Sequence, residues 1–394
     1  MTTPPTQPRR LLWIVPERRG GIATYASGLW PAIAAACRSA GDFEPLLPLE
    51  GSDTAVLEQL ETSAAMRPDI IHVQHEYGLF GGRNPAVDRF PHWIRRLRRY
   101  LPAGGRIVAT AHTVVPSGHR LETRGQGWRN PFHAVANAIA LPWLHRRWST
   151  TTWGAFDGVV THSRLQQPDL RVGAGTATAT IPHVVPTVAP QASMVAERSD
   201  SIVTVFGYFC PEKGQDLAIE ALRHCRAPVM LRLAGGPRLV RYDGYMARCR
   251  QRIAELGLAD RVVITGFVPE EELAGVFLTS DLVLAPFRWT SGSGSLAWAL
   301  AHGAAVLASD LPLNREIADR VPGAVAFFRS EDPVDCGREI ERLLDDAPRR
   351  ALLAAAARQY AAVCSPQTTA RLHLDFYRQI ASRVITEAAA LARG

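Results

Sequence analysis

Of the 44 basic residues in this chain of 394, one is a lysine, Lys213. Arginine enrichment by itself reads as a coding bias, so the position that kept a compact ammonium is the first place to look for chemistry. Lys213 stands in the stretch Phe206-Gly207-Tyr208-Phe209-Cys210-Pro211-Glu212-Lys213-Gly214-Gln215-Asp216. An apolar run ends at a glycine, a short loop follows, and a helical pattern begins beside the lysine. A helix N-terminus offers free N–H groups and the positive end of a dipole to anions, and a lysine there adds a point charge. That combination suits a diphosphate; the plainer alternative is a surface lysine before a helix. A second candidate is Thr290-Ser291-Gly292-Ser293-Gly294-Ser295, where hydroxyls alternate with backbone that a phosphate can approach closely. It lacks the spacing of a P-loop, and a flexible loop is its plainer alternative. A third is Gly20-Gly21, a bare turn after an apolar run. A fourth is the set His75, His112, His162 and His183, each at or near the end of such a run. No H-E-x-x-H, C-x-x-C or G-x-S-x-G pattern occurs, which argues against a helical zinc site, a zinc ribbon or thioredoxin-type centre, and an α/β-hydrolase.

These residues need elements to hold them. Leu11–Val15, Asp69–His75, Arg106–His112, Gly158–Ser163 and Ala179–His183 read as short buried strands, with a helix from Ala23 to Cys37. Residues 186 to 200 read as a linker, rich in Pro, Ala, Ser, Thr and Gln. The pattern then restarts. Strands are expected at Ser201–Phe206, Val229–Ala234, Val262–Thr265, Leu282–Ala285 and Ala305–Ala308. Helices are expected at Gln215–Cys225, Tyr245–Leu256, Glu270–Leu278, Ser295–His302, Asp332–Cys364 and from Gln367 to Leu391. Alternating strands and helices predict an α/β protein of two doubly wound domains, 1–186 and 201–365, with a closing helix in 366–394. In such sheets ligands sit beyond the carboxyl ends of the strands. That places Gly20, Gly21, His75, Glu76, His112, Gly207, Tyr208, Gly236 and the segment from 286 to 294 at candidate sites.

Composition sets the outer bounds. With 47% hydrophobic and 21% charged residues the chain is globular, not disordered. Its six cysteines are far apart, so reduced thiols and a cytosolic setting are expected. No run of about 18 apolar residues suggests a spanning helix, and the apolar stretch after Arg10 is too short for a signal-peptide core. A net charge of +7 fits an acidic ligand, and no recognised nucleic-acid module accompanies it. Residues 119–153 combine Trp128, Trp143, Trp148 and Trp153 with Arg120, Arg124, Arg129, Arg146 and Arg147. Such a composition suits contact with anionic lipid; ordinary packing with solvated arginines is the plainer alternative.

The stretch Gly207–Leu222 resembles the signature of family 4 glycosyltransferases. Leu233–Pro237, Val262–Val268, Asp281–Pro286, Gly303–Asp310 with Glu316, Gly20–Ala23, Asp69–His75 and Ala111–Thr113 are similar to further family segments. The resemblance implies the GT-B fold, two Rossmann-like domains facing across a cleft. It implies a nucleotide-sugar donor on the C-terminal domain, an acceptor on the N-terminal domain, here near His75 and Glu76, transfer with retention, and no metal or other cofactor. By the same resemblance Lys213 binds the donor diphosphate, Gly21 approaches its phosphates, and His112 contacts the donor sugar. The chain departs from the pattern at Tyr208, where the family carries an arginine, and at Thr290 and Trp298, where it carries two glutamates. Ser291, Ser293, Ser295 and Arg288 are the candidate substitutes. The expectation is a cytoplasmic retaining glycosyltransferase, peripheral to the membrane's inner face, acting in polysaccharide or secondary-metabolite synthesis. A non-catalytic GT-B protein that binds a nucleotide sugar or a partner is the alternative. A sugar-nucleotide epimerase is a weaker third reading.

Overall fold

The structure, a computed structural model, describes residues 7–16, 20–63, 66–76, 90–114, 141–173, 175–189, 200–226, 228–237, 243–290 and 292–391. The chain divides into two compact units. One comprises Met1–Pro182 with Pro366–Gly394, the other His183–Ser365.

The first unit is built on a parallel sheet. Its strands are β1 (Arg9–Val15), β2 (Phe43–Pro45), β3 (Leu49–Glu50), β4 (Ile70–His75), β5 (Arg106–Ala111), β6 (Gly158–Thr161) and β7 (Ala177–Thr180). The order is β2-β1-β4-β5-β6-β7, with β3 also pairing β1. Its helices are α1 (Gly21–Ala40), α2 (Asp53–Thr62), α3 (Phe90–Leu97), α4 (Leu141–Trp153) and the short α5 (Gln167–Leu170); the closing helix Pro366–Leu391 belongs to the same unit. Both faces of the sheet are buried, which is why its strands read as continuous apolar runs. Leu12, Ile14, Ile71, Val73, Ile107, Ala109 and Val159 line one face with Trp93, Trp148 and Trp153. The opposite face carries Trp13, His72 and Thr110. There the Tyr377 hydroxyl accepts from Trp13 Nε1 at 3.0 Å and meets His72 Nδ1, while His72 Nε2 meets Thr110 Oγ1 at 2.8 Å. The closing helix packs so closely that a Cβ on Gly158 would collide with Ile380 and Phe376.

The second unit has β8 (Ser201–Phe206), β9 (Val229–Ala234), β10 (Val262–Gly266), β11 (Leu282–Ala285), β12 (Val306–Ser309) and β13 (Ala326–Phe328). The order β10-β9-β8-β11-β12-β13 is the Rossmann order. Its helices are α6 (Gln215–Leu222), α7 (Asp243–Glu255), α8 (Leu273–Leu278), α9 (Gly294–Ala301), α10 (Pro312–Arg320), α11 (Pro333–Asp345) and α12 (Ala347–Val363), leaving the closing helix as α13. Alternate residues feed two cores. Val203, Val205, Leu231, Leu233 and Leu284 face α6 and α11, and Val283, Ala285, Val306 and Ala308 face α9 and α12.

One local device recurs. An aspartate immediately before a strand pins the strand beside it. Asp69 accepts from Arg10 N, Asp157 from Ile107 N and Asp281 from Ile202 N, at 2.7–2.8 Å. Each carboxylate satisfies a donor at the sheet's amino edge, where the ladder has run out.

The sequence pattern misplaced some ends. β7 starts and stops earlier than Ala179–His183, because Pro182 has no N–H to continue a ladder. The expected helix Asp332–Cys364 is two helices, broken at Asp346, whose carboxylate accepts from Arg349 N at 2.8 Å and caps α12. The short strands β2, β3 and β13 carried too few residues to show a period.

Asp281→Ala leaves Ile202 N–H unpaired and is expected to lower stability by about 1.5–3 kcal/mol, read as a lower urea midpoint with an unchanged slope. A second expectation concerns acid. His373 is wholly buried, neither ring nitrogen has a hydrogen-bond partner among the described residues, and burial pushes its pKa to about 3. The adjacent His72 is pushed down by burial and by His373. These imidazoles stay neutral when folded, so their stability is intact above about pH 6.5 and is lost on acidification below it, by about 1.4 kcal/mol per unit per group. Urea midpoints at pH 7 and 5 test this, and His373→Phe should flatten the dependence.

Candidate functional site

In the second unit the sheet reverses direction of growth between β8 and β11, and the loops after those strands diverge there. The loop after β8 turns at Gly207, with φ +133°, and packs against Ser295: a Cβ at 207 would lie 3.2 Å from that of Ser295. Gly235, after β9, approaches Gly207 so closely that a Cβ would lie 1.9 Å from its carbonyl oxygen. Phe209 N then donates to Gly236 O at 2.9 Å. A short 3-10 turn, Pro211–Lys213, ends at Gly214 with φ +68°, and α6 begins. A Cβ on Gly214 would lie 1.9 Å from the Pro286 carbonyl oxygen, so glycine is what lets the β8 and β11 loops touch.

Their contact brings Lys213 to the serines. Lys213 Nζ donates to Ser293 Oγ at 3.0 Å and to Ser295 Oγ at 3.1 Å, and the two hydroxyls lie 3.0 Å apart. The ammonium also lies 3.8 Å from the centre of the Phe287 ring. Ser293 caps α9, accepting from Leu296 N at 3.2 Å. The lysine is half-buried, and burial pulls its pKa down to about 8. Among the described residues it makes no ion pair with a carboxylate. Hydroxyls and a ring face hold the charge without neutralising it. His183 lies within reach of this charge; burial and the Lys213 ammonium push its imidazole down to about 4.

Arg288 is placed differently. It makes a two-pronged ion pair with Asp216, at 2.7 and 3.0 Å, and donates to Pro211 O at 2.9 Å. Tyr245 OH also donates to Asp216 at 2.7 Å. Burial raises the Asp216 carboxyl, but the bonds from Arg288 and Tyr245 outweigh it and hold the group below its usual range. The structure thus spends this guanidinium on tying the β11 loop to α6. The Asp216–Tyr245–Arg288 cluster was not visible in sequence, because its members are 29 and 72 residues apart in sequence from Asp216. Tyr208 is half-buried, and its carbonyl accepts from Gln215 Nε2 at 2.9 Å. Thr290 is buried, and among the described residues its Oγ1 has no hydrogen-bond partner; Trp298 stacks on His302, partly buried against the apolar core. Gly292 and Gly294 are exposed beside Ser293. Ser291 lies outside the described residues.

In the first unit, Gly20 has φ +114° and starts α1, and Gly21 is exposed with open space where a Cβ would stand. His112, just past β5, lies with Nε2 3.0 Å from Gln74 Oε1 and Nδ1 3.2 Å from His162 Nε2; His162 Nδ1 donates to Ile181 O at 3.1 Å. Tyr25, on the first turns of α1, sets its ring edge-on to His112, with centroids 4.7 Å apart. Its place four residues after Gly21 was the available signal. His75 is buried between Phe90 and Trp153, and burial pushes its pKa to about 3. Glu76 accepts from Thr113 Oγ1 at 2.8 Å. Among the described residues no three His, Cys, Asp or Glu side chains converge as a metal-ligand set. Of the Arg- and Trp-rich segment, Trp128, Arg120, Arg124 and Arg129 lie outside the described residues.

Residues 200–346 match the family described as "Glycosyl transferases group 1". A D-inositol 3-phosphate glycosyltransferase from Stackebrandtia nassauensis is 32% identical over 226 residues, 52% of this chain and 50% of that protein. The chain thus spans about half the length of this curated relative. Two solved structures share the fold. Sucrose-phosphate synthase from Thermosynechococcus elongatus superposes with a TM-score of 0.70 at 16% identity, covering 95% of this chain and 100% of that one. HepE from Anabaena, solved in complex with UDP and glucose, superposes with a TM-score of 0.62 at 16% identity over the same shares. The fold class is GT-B.

Gly214→Ala tests the loop contact. A side chain there meets a backbone carbonyl and an unfavourable φ, so a loss of roughly 2–4 kcal/mol is expected in urea unfolding.

Proposed function

From a C-terminal unit matched to glycosyl transferases group 1, we propose that this protein is a retaining, metal-independent glycosyltransferase. It takes a hexose from a nucleoside-diphosphate donor and passes it to a glycan, a lipid-linked molecule or a small molecule, on the cytoplasmic side of the membrane, in polysaccharide or secondary-metabolite synthesis. The observation that carries the reading is the unneutralised Lys213 ammonium, held by Ser293 and Ser295 where β8 and β11 diverge. A half-buried cation without a carboxylate is incomplete, and an incoming diphosphate completes it. The related names agree: one relative is a glycosyltransferase, and one structure of the same fold was solved with UDP and glucose.

Cleaving the sugar–phosphate bond leaves negative charge on the departing diphosphate. Lys213 and the serine hydroxyls stabilise that charge from fixed positions, which is where such a site lowers the barrier most. In a front-face displacement the departing phosphate oxygen takes the acceptor's proton, so no protein nucleophile is required. In the second unit the donor contacts fall to Gly207, Tyr208, Lys213, Gly236 and the loop from Ser291 to Gly294; in the first unit Gly20, Gly21 and His112 are the candidate ligand contacts. Acceptor contacts fall to Glu76 and His75. Arg288 serves the donor through Asp216 and the position of the β11 loop. The alternative is a protein that binds a nucleotide sugar without transferring it. It is favoured by Thr290, which is buried, and Trp298, which packs partly buried against the core, since neither offers a carboxylate.

Calorimetric titration with UDP-, GDP-, ADP- and dTDP-sugars tests the reading. One donor should bind, and Lys213→Ala should weaken it by about ten-fold or more. Because Lys213 loses its proton as pH rises through about 8, wild-type affinity should fall between pH 7 and 9, and the variant's should not. Binding that ignores the substitution sinks the assignment of Lys213. Donor hydrolysis or a new glycoside separates the enzyme from the silent binder.

A further inference from the structure

The positive charge of this chain is concentrated. Between Arg89 and Phe156 there are eleven arginines and one carboxylate, Glu122; the remaining residues hold 33 basic against 36 acidic side chains. Part of that charge is displayed on two described helices of the first unit. α3 buries Phe90, Trp93, Ile94 and Leu97, and turns Arg95 and Arg96 outward, followed by exposed Arg99. α4 packs against α3, shares the same apolar core through Trp148 and Trp153, and exposes Trp143, Arg146 and Arg147. Trp143 is 57% exposed, with the Arg147 guanidinium 5.5 Å from its ring centre.

Within the same segment Arg98 and Arg106 both pair with Asp157, and elsewhere several arginines are likewise neutralised. Arg252 pairs with Glu220, Arg315 with Asp310, Arg342 with Glu339 and Arg378 with Asp42. Arg95, Arg96, Arg99, Arg146 and Arg147 pair with no carboxylate among the described residues, and neither 90–113 nor 141–156 contains one to offer. Five unpaired like charges repel one another, a cost that a fixed anionic surface removes. An exposed indole beside them is the second part of the pattern. Trp places an amphipathic ring at the headgroup level, and arginine covers apolar surface with its stem while its head meets phosphate.

We propose that the exposed face of α3 and α4 docks this protein on an anionic phospholipid bilayer, with Arg95, Arg96, Arg99, Arg146 and Arg147 on the lipid phosphates and Trp143 at the interface. Charge complementarity selects an acidic surface, and Trp143 selects a bilayer over a soluble polyanion. Docking brings the protein to where acceptors with lipid anchors reside. It stands on different residues from the donor site, so it survives if the donor reading fails.

Co-sedimentation tests the proposal, with vesicles of phosphatidylcholine alone and with about one third phosphatidylglycerol. The full chain should pellet with the second and not the first, and should be released as salt rises from about 0.1 to 0.5 M. Each arginine contributes about five-fold to partitioning, so the variant Arg95→Gln/Arg96→Gln/Arg99→Gln should lose on the order of a hundred-fold. Trp143→Ser, whose ring is already exposed, should weaken binding at high lipid charge without altering the urea midpoint, and so covers the case of a misfolded triple variant. No pelleting with the anionic vesicles overturns the proposal. So does equal pelleting with both lipids, or full binding by both variants. Stoichiometric displacement from vesicles by short duplex DNA would assign the face to nucleic acid instead.

Discussion

The ammonium of Lys213 is held by two hydroxyls and an aromatic face and makes no ion pair with a carboxylate among the described residues, although the adjacent Glu212 supports its charge. Much of the second unit's local geometry sets this arrangement. The lysine is carried on the loop after β8 and its serines on the loop after β11. Those loops meet because β8 and β11 are adjacent, though 75 residues separate the end of one from the start of the other. Contact at this point needs bare backbone at Gly207, Gly214 and Gly235, where a Cβ would meet Ser295, Pro286 or Gly207 itself. It also needs the β11 loop to be tied down, which the Asp216–Arg288 pair does. Two cations at one sheet edge thus have opposite fates. Arg288 is neutralised and acts as a brace, and Lys213 is left charged and available.

The first unit shows the complementary solution, polar groups buried neutral. His72 and His75 on β4, and His373 on the closing helix packed against that sheet, are buried where an imidazolium would be costly to solvate. His72 is satisfied by Tyr377 and Thr110, and His75 meets two aromatic rings edge-on. His112 differs, because it stands past the end of β5 with its ring held between Gln74, His162 and Tyr25. A histidine at a strand's end is thus of two kinds in this protein, one packed into the aromatic core and one aligned by polar neighbours.

Charge is distributed by the same logic across the surface. Several arginines lie opposite carboxylates and contribute little beyond local order. On α3 and α4 they do not, because the local sequence holds no acid. Residues 89–156 thus hold eleven arginines and one carboxylate, against 33 basic and 36 acidic side chains in the rest of the chain.

Much of this was legible from the sequence. The apolar runs of β4, β5, β8, β9 and β11 announced a parallel sheet, because strands buried on both faces must be apolar at nearly every position. The sole lysine, the strand-ending Gly207 and the serine-rich stretch predicted an anion site, the expectation on which the proposed function rests. Arg288 shows where that reasoning stops: its type suggested a phosphate contact, but a guanidinium goes to the nearest well-placed carboxylate, and only the fold brings Asp216 to it. Trp298 was seen as a departure from a pattern, and only packing showed that its ring lies against the core. Composition and period report what a residue can do and which way a strand's side chains alternate. Which of several possible partners it finds depends on strand order, and strand order is decided by contacts between residues far apart in the chain.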